Sequence, residues 1–433
     1  MHITIRRLWG GVLTAGLIGA VAVAGQPAAG AHSGPVSRSA APVLDWSAFG
    51  TQAIVAPPNP ASPNLRGSAS SLVLEGILHI TIYDTVEALV PGRARPYVAH
   101  VPERPGASAA AAVATAVHHV LATRIPTQQG FLDTTYNTYL DGVGEGRAKQ
   151  EGIALGAQVA EEILAWRAND GFGATPRWQQ PMPGPGVWEP SIVGAPPGDL
   201  ILTEVRPLSL RSRDQFRPGP PPALESDRYA EDFDEVKRFG RADSQDRSTL
   251  QTETARFWSE QTGQQLNRAL RQLAVARNLD LLGTARMLAV AHLSGADAAL
   301  ACWDAKYYYN LWRPFHAVPR ADTDRNPATT ADQTWTPLIN LSFPEYPSGH
   351  ACVSGAITRA VAWYFGTHNV SMTINSLAAG AGPARTYPNL AAVRADVAEA
   401  RILSGLHFRF SMEVGDRLGA RVARWVTARF PGC

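Results

Sequence analysis

Residues 288–312, LAVAHLSGADAALACWDAKYYYNLW, carry the pattern that decides the fold. Apolar residues recur there at three- and four-residue steps, the period of a helix, and no proline interrupts them. The pattern begins near residue 280, so a helix over 280–312 is expected. Similar Ala-, Leu- and Val-rich periodicity covers 70–89, 107–123, 145–168 and 248–276 before it, and 350–366, 389–403 and 412–429 after it. Strand-like alternation is scarce, and no fixed short period recurs that would indicate a solenoid. The prediction is an all-α protein built from packed helical bundles. Residues 171–222 hold too many prolines and glycines for regular elements and read as a long ordered loop laid over the helices.

Working outward, the chain divides into four parts. Arg6 and Arg7, the apolar run Leu8 to Ala24 and the small residues Ala28 to Ala31 have the three regions of an export signal, so 1–31 is read as a removed signal peptide. The Arg-Arg pair resembles a twin-arginine signal only loosely. Residues 32–65, rich in Pro, Ala and Ser, read as a leader or linker. An N-terminal helical part over 66–300 and a C-terminal helical part over 301–433 complete the division. The expected location is therefore secreted, periplasmic or otherwise extracytoplasmic.

Composition excludes several classes. A net charge of +2 with 18% charged residues gives no single-sign field for nucleic acid. No stretch of the mature chain reaches 18 consecutive apolar residues, because His118, His119, Asp297 and Arg359 break the Ala-rich runs, so no membrane span is expected. Three cysteines, Cys302, Cys352 and Cys433, are too few for a disulfide framework, which leaves one bridge or buried thiols. Only three lysines stand against 36 arginines, which marks Lys306 for attention.

Three short motifs in the C-terminal part carry chemistry. Lys306 and Arg313 are seven residues apart, nearly two helical turns, so both cations are expected on one face, where they could grip one anion or form a solvated basic face. Tyr346-Pro347-Ser348-Gly349-His350 is a tight turn before an apolar helix. The Gly349 amide and the Ser348 hydroxyl are donors at a positive helix N-terminus, with His350 at the rim as general acid or base, or as a capping or core histidine. Arg401 and His407 would face apart on an unbroken helix, and Gly405 can break it and swing His407 back. Each motif alone is weak. Together they supply three cations, a hydroxyl, backbone donors and two imidazoles, the inventory that holds a tetrahedral or trigonal-bipyramidal oxyanion.

The series Lys306-x6-Arg313-Pro314, Pro347-Ser348-Gly349-His350 and Arg401-x3-Gly405-x-His407-Phe408 resembles the signature of the vanadium-dependent haloperoxidases and the related type 2 phosphatidic acid phosphatases. The similarity extends to His79-x4-Asp84, Arg167-x2-Asp170-Gly171 and Asp322-x-Asp324-x-Asn326-Pro327, and so over most of the mature chain. The resemblance implies two packed four-helix bundles with long ordered loops and vanadate held between helices, a site that phosphate can also occupy. It implies His407 as the vanadium ligand, Lys306, Arg313, Ser348, Gly349 and Arg401 as donors to the vanadate oxygens, and His350 with Lys306 as catalytic residues. The implied reaction oxidises halide with hydrogen peroxide to hypohalous acid through a His-ligated peroxovanadate, with an organic acceptor downstream. Trp303 and Phe343 match the aromatic residues of chloroperoxidase-type members and mark an expected halide pocket, against the plain reading that both rings are core. Helical-bundle relatives often pair, so a homodimer is an open expectation.

Two departures matter. Where the phosphatase pattern has Ser before the Arg and Asp four residues after the His, this chain has Ala400 and Ser411. The missing carboxylate would orient the His, and Glu413 is the expected substitute. The alternatives are a secreted acid phosphatase with His407 as nucleophile and His350 as proton donor, and a non-catalytic oxyanion-binding protein.

Overall fold

The computed structural model describes residues 39–55, 69–93, 95–190 and 197–432. The expected signal segment and Cys433 lie outside the described residues. Among the described residues thirteen α-helices run in the order α1 (Ala41–Val55), α2 (Ser71–Glu87), α3 (Ala109–Arg124), α4 (Gln129–Asp141), α5 (Arg147–Trp166), α6 (Asp227–Phe239), α7 (Thr249–Phe257), α8 (Thr262–Ala276), α9 (Leu281–Tyr309), α10 (Pro314–Ala317), α11 (Gly349–Phe365), α12 (Leu390–Leu403) and α13 (Arg409–Thr427). One two-stranded antiparallel ribbon, β1 (Met372–Ile374) with β2 (Arg385–Tyr387), is the sheet among the described residues. The fold is all-α, as expected.

Helix α9 is the shared wall of the molecule. It packs against α2 on one side, where α3, α5 and α1 complete a first bundle, and against α11 and α13 on the other, where α12 completes a second. A helix enclosed this way has no solvent face, so it loses amphipathic periodicity: every residue of α2 is buried, and α9 is buried along nearly its whole length. Asp280 starts α9 by accepting from the Gly283 N–H at 2.8 Å, and Asn310 ends it in a left-handed turn.

Two buried carboxylates and two histidines inside these helices are paired. Asp84 accepts from the backbone N–H groups of Tyr97, Val98 and Ala99, and Asp297 from those of Leu208, Ser209 and Leu210. Each carboxylate thus pins a loop to the core. His79 and His292 stack at 3.9 Å, and the Asn267 amide lies 3.1 Å from Nε2 of both. The outer matches to the family therefore fix loops. Asp170 receives Arg124 and Arg167, and Asp324 receives Thr329.

Several expectations are corrected. Residues 41–55, expected within a leader, form α1, whose Trp46 and Val43 are fully buried. Pro42 sits at a first-turn position, where proline is tolerated, so its presence does not prevent a helix. The division at 300/301 falls inside α9, because one helix serves both bundles. The segment 248–276 is two helices joined by a capped break at Trp258–Gln261. Helices α4 and α6 were not expected. The stretch 171–222 does form irregular chain with only short 3-10 turns among its described residues, and Val187 bridges to Leu311 beside the site. Cys302 and Cys352 are buried thiols.

Candidate active site

Three chain reversals bring the motifs together. The first follows α9. Arg313 stands outside the helix in extended conformation, four residues beyond Tyr309, so the expectation that both cations share one helix face is corrected. They converge because the chain turns at Asn310, and Lys306 and Arg313 then meet over the segment Phe343–Glu345. Lys306 Nζ donates to the carbonyls of Pro344 at 3.0 Å and Glu345 at 2.9 Å. Arg313 donates through Nε to Phe343 O at 2.6 Å and through Nη1 to Leu406 O at 2.8 Å.

The second reversal is the turn into α11. Ser348 is its N-cap, accepting from the Ala351 N–H at 3.5 Å and leaving its own hydroxyl hydrogen to donate elsewhere. Gly349 opens the helix under the Trp303 ring, and a Cβ there would lie 2.8 Å from that ring and 3.8 Å from Lys306 Cε. Only glycine allows this approach, which puts the N-terminal amides of α11 against the lysine. His350 is held by its Nε2 at 3.3 Å from Glu260 O.

The third reversal ends α12. Gly405 takes φ +74°, and the following residues return to the site as expected. Arg401 donates to Trp258 O at 2.8 Å, and its Nε is buried with no partner. His407 places Nδ1 2.8 Å from Glu345 Oε1, which also accepts from the Phe408 N–H at 3.1 Å. Glu345 supplies the carboxylate expected from Glu413. Glu413 instead pairs with Arg228 at 3.0 Å on the surface.

Electrostatics show that these groups share one space. Burial pushes Lys306 down to about 8, Arg313 to about 10 and Arg401 to about 9, and Arg313 adds to the fall for the other two. His407 is held well below its usual value by burial first, then by Arg313, Lys306, Arg401 and His350. His350 is lowered by burial and by Arg401. Glu345 is pushed up to about 7 by burial, with Lys306 and Arg313 opposing.

The donor set fits an oxyanion. Lys306, Arg313 and Arg401 are each at most 1% exposed, and their hydrogen-bond partners are backbone carbonyls. One buried carboxyl among three cations leaves an excess of positive charge that a bound anion would balance. The unpartnered Arg401 Nε, the Ser348 hydroxyl and the α11 amides are the donors for it. Trp303 and Phe343 form one wall, with rings 5.2 Å apart and the Lys306 Nζ 5.5 and 5.3 Å from their centroids. The wall is thus both core and cradle. All nine residues expected at the site are brought together. Glu345 was missed. Its signal in the sequence is a lone carboxylate in the apolar turn Phe343-Pro344-Glu345-Tyr346-Pro347.

Residues 286–431, which hold every site residue, match the family described as the VCPO second helical-bundle domain. The vanadium chloroperoxidase of Curvularia inaequalis is 28% identical over 181 residues, covering 34% of this chain and 29% of that protein. The second helical bundle of this chain is therefore similar to that of the vanadium chloroperoxidases. The alignment thus spans less than a third of that relative's length. Fold similarity runs much further. The first bacterial vanadium-dependent iodoperoxidase superposes with a TM-score of 0.73 at 21% identity, over 92% of this chain and 98% of that one. A bacterial vanadium-dependent chloroperoxidase in its holo form gives 0.70 at 15% identity, again over 92% and 98%. The fold of the family therefore extends into the N-terminal bundle, beyond the matched domain.

Proposed function

We propose that the protein is an extracytoplasmic vanadate-dependent haloperoxidase, which uses hydrogen peroxide to oxidise halide to hypohalous acid and passes it to an organic acceptor. The observation that carries this is the cradle of three buried cations without a matching set of carboxylates, closed by an imidazole whose Nδ1 is tied to Glu345. Lys306, Arg313, Arg401, Ser348 and the Gly349 amide would hold the vanadate oxygens, and His407 would be the ligand. Vanadate supplies Lewis-acid activation of peroxide without changing oxidation state.

The residues of the chain do the rest. A carboxylate on Nδ1 makes that nitrogen the protonated one and leaves Nε2 with the lone pair, which a neutral His407 needs to act as ligand. Lys306 keeps a proton on Nζ below pH about 8, where it can polarise an oxygen in the cradle. His350 is depressed partly by Arg401 and Lys306, and an anion that offsets those charges raises it toward neutrality, where it can accept and return a proton. Trp303 and Phe343 exclude water from the cation side and favour a weakly hydrated halide there. In balance, halide, peroxide and one proton give hypohalous acid and water.

A second reading has a specific observation behind it. The Glu345 carboxylate that orients His407 as a ligand would equally orient it as a nucleophile, so an acid phosphatase on the same cradle gains support that Ser411 alone denied it. A single comparison separates the readings: mature protein with and without orthovanadate, assayed for bromination of a phenol dye with bromide and peroxide, beside hydrolysis of p-nitrophenyl phosphate. Vanadate-dependent halogenation that His407→Ala abolishes is the expected result. Hydrolysis that vanadate inhibits, with no halogenation, would overturn it in favour of the phosphatase, and tight phosphate binding without turnover would leave a binding protein.

A further inference from the structure

We propose that Glu345 is the positioning residue of His407, having taken over from the first turn of α13 the task of holding the imidazole, and that Ser411 marks the position it replaced. This inference rests on the functional reading above. Three observations lead to it. Glu345 Oε1 accepts from two groups of the His407 segment, Nδ1 at 2.8 Å and the Phe408 N–H at 3.1 Å, so one oxygen fixes both the ring and the backbone that carries it. The residue's own backbone is tied at both ends: its N–H donates to Leu311 O at 2.9 Å and its carbonyl receives Lys306 Nζ. A single turn residue therefore sets the relative placement of the lysine and the histidine across the cradle.

The third observation is the vacated position. Ser411 neighbours the Glu345 carboxyl, and both Ser411 Oγ and Glu345 Oε2 are buried without a hydrogen-bond partner of normal geometry. The Ser411 carbonyl accepts from the Ser348 N–H at 3.2 Å, so the start of α13 is already locked to the anion-binding turn. A carboxylate on residue 411 would reach the same side of the ring that Glu345 now occupies. Two carboxylates there would repel at close range, which is the physical reason that one position holds an acid and the other a hydroxyl.

The test compares vanadate with phosphate, because both use the oxygen donors and only vanadate adds a bond to the imidazole. Dissociation constants are measured by calorimetry for the full chain, for Glu345→Gln, for Glu345→Ala and for Glu345→Ala/Ser411→Asp. Glu345→Ala should weaken vanadate by about 10- to 100-fold, with phosphate changed several-fold less. The double variant should recover most of the vanadate loss. Equal losses for both anions, or no recovery by Asp at 411, would overturn the proposal. Glu345→Gln, which keeps the shape and both accepted hydrogen bonds, should fold normally and lose part of the vanadate preference through its missing charge; an unchanged preference overturns it too. If the wild type shows no preference for vanadate, the functional reading fails, and imidazole nitrogen NMR of the anion-free protein then decides this one. His407 should be a single Nδ1–H tautomer in the wild type and a mixture in Glu345→Ala; the same tautomer in both would refute positioning.

Discussion

Gly405 sits against Gly240: a Cβ on Gly405 would lie 2.5 Å from the Gly240 carbonyl oxygen and 2.8 Å from Pro337 Cβ, and the residue holds φ +74°. Any side chain there meets both a left-handed backbone penalty and backbone atoms that cannot yield. Gly405→Ala should therefore destabilise the fold by about 2–4 kcal/mol. The displaced segment also carries His407, so vanadate affinity should fall in the same variant. Denaturant unfolding together with an anion titration checks both, and a normal value of either shows that this contact does not set the return of the chain.

Arg313 gives a second prediction. Its guanidinium binds three buried carbonyls, of Phe343, Pro344 and Leu406, and lies 4.7 Å from the Phe343 ring centroid. Arg313→Ala should abolish measurable binding of both vanadate and phosphate. Arg313→Lys keeps the charge but loses the planar fork, so it should weaken anion binding about 10-fold or more without unfolding the protein. Near-normal vanadate affinity in the alanine variant would mean that the cradle is wrongly assembled.

These two residues also show how far the sequence reaches. The spacing Arg401-x3-Gly405-x-His407 already requires a break at the glycine, and a positive φ is the physical form of that break. Arg313 was legible as a site residue but not as a residue outside the helix. The left-handed turn at Asn310 has no strong signal in Tyr307-Tyr308-Tyr309-Asn310, so helical periodicity runs past the true end. Helix α1 was hidden for a related reason: its Pro, Ala, Ser and Gly content resembles a linker, and burial of Trp46 and Val43 against α2 and α3, which no local pattern announces, is what orders it. Glu345 was least legible. It acts across 62 residues of chain on His407, and only the meeting of two turns makes it a partner.

The charge pattern predicts an unusual pH profile for the anion-free protein. Glu345 is raised from 4.5 to about 7, so the folded state binds its proton more tightly than the unfolded chain, and stability falls as pH rises from about 4.5 to 7. Lys306 is lowered from 10.5 to about 8, so the cost of its buried charge is present below about 8 and is relieved as pH rises toward 10.5. The contributions of these two groups are least favourable near pH 7–8, while the depressed buried histidines His350 and His407 add the opposite slope below their usual value, so the two limbs are read from differences between variants. Calorimetric melting of the wild type minus that of Glu345→Gln and of Lys306→Met, measured across pH 4–10, isolates each limb. A flat difference for either variant contradicts the corresponding shift.

The aromatic wall yields the last prediction, on halide choice. Lys306 Nζ faces both the Trp303 and Phe343 rings, and Trp303 is only 4% exposed while its Nε1 has no hydrogen-bond partner. A dry, cation-backed wall favours most the halide that holds its water least tightly, because desolvation costs that ion least. Removing the ring admits water and weakens the cation–π contact, worth about 0.5–2 kcal/mol. Trp303→Ala should therefore reduce kcat/KM for iodide about 10-fold more than for bromide, with chloride least affected, a ratio of ~1.4 kcal/mol. Vanadate affinity should change little, since the indole makes no hydrogen bond to the cradle. Equal losses for all three halides would assign Trp303 to packing alone, and a loss confined to vanadate binding would place it among the groups that hold the anion.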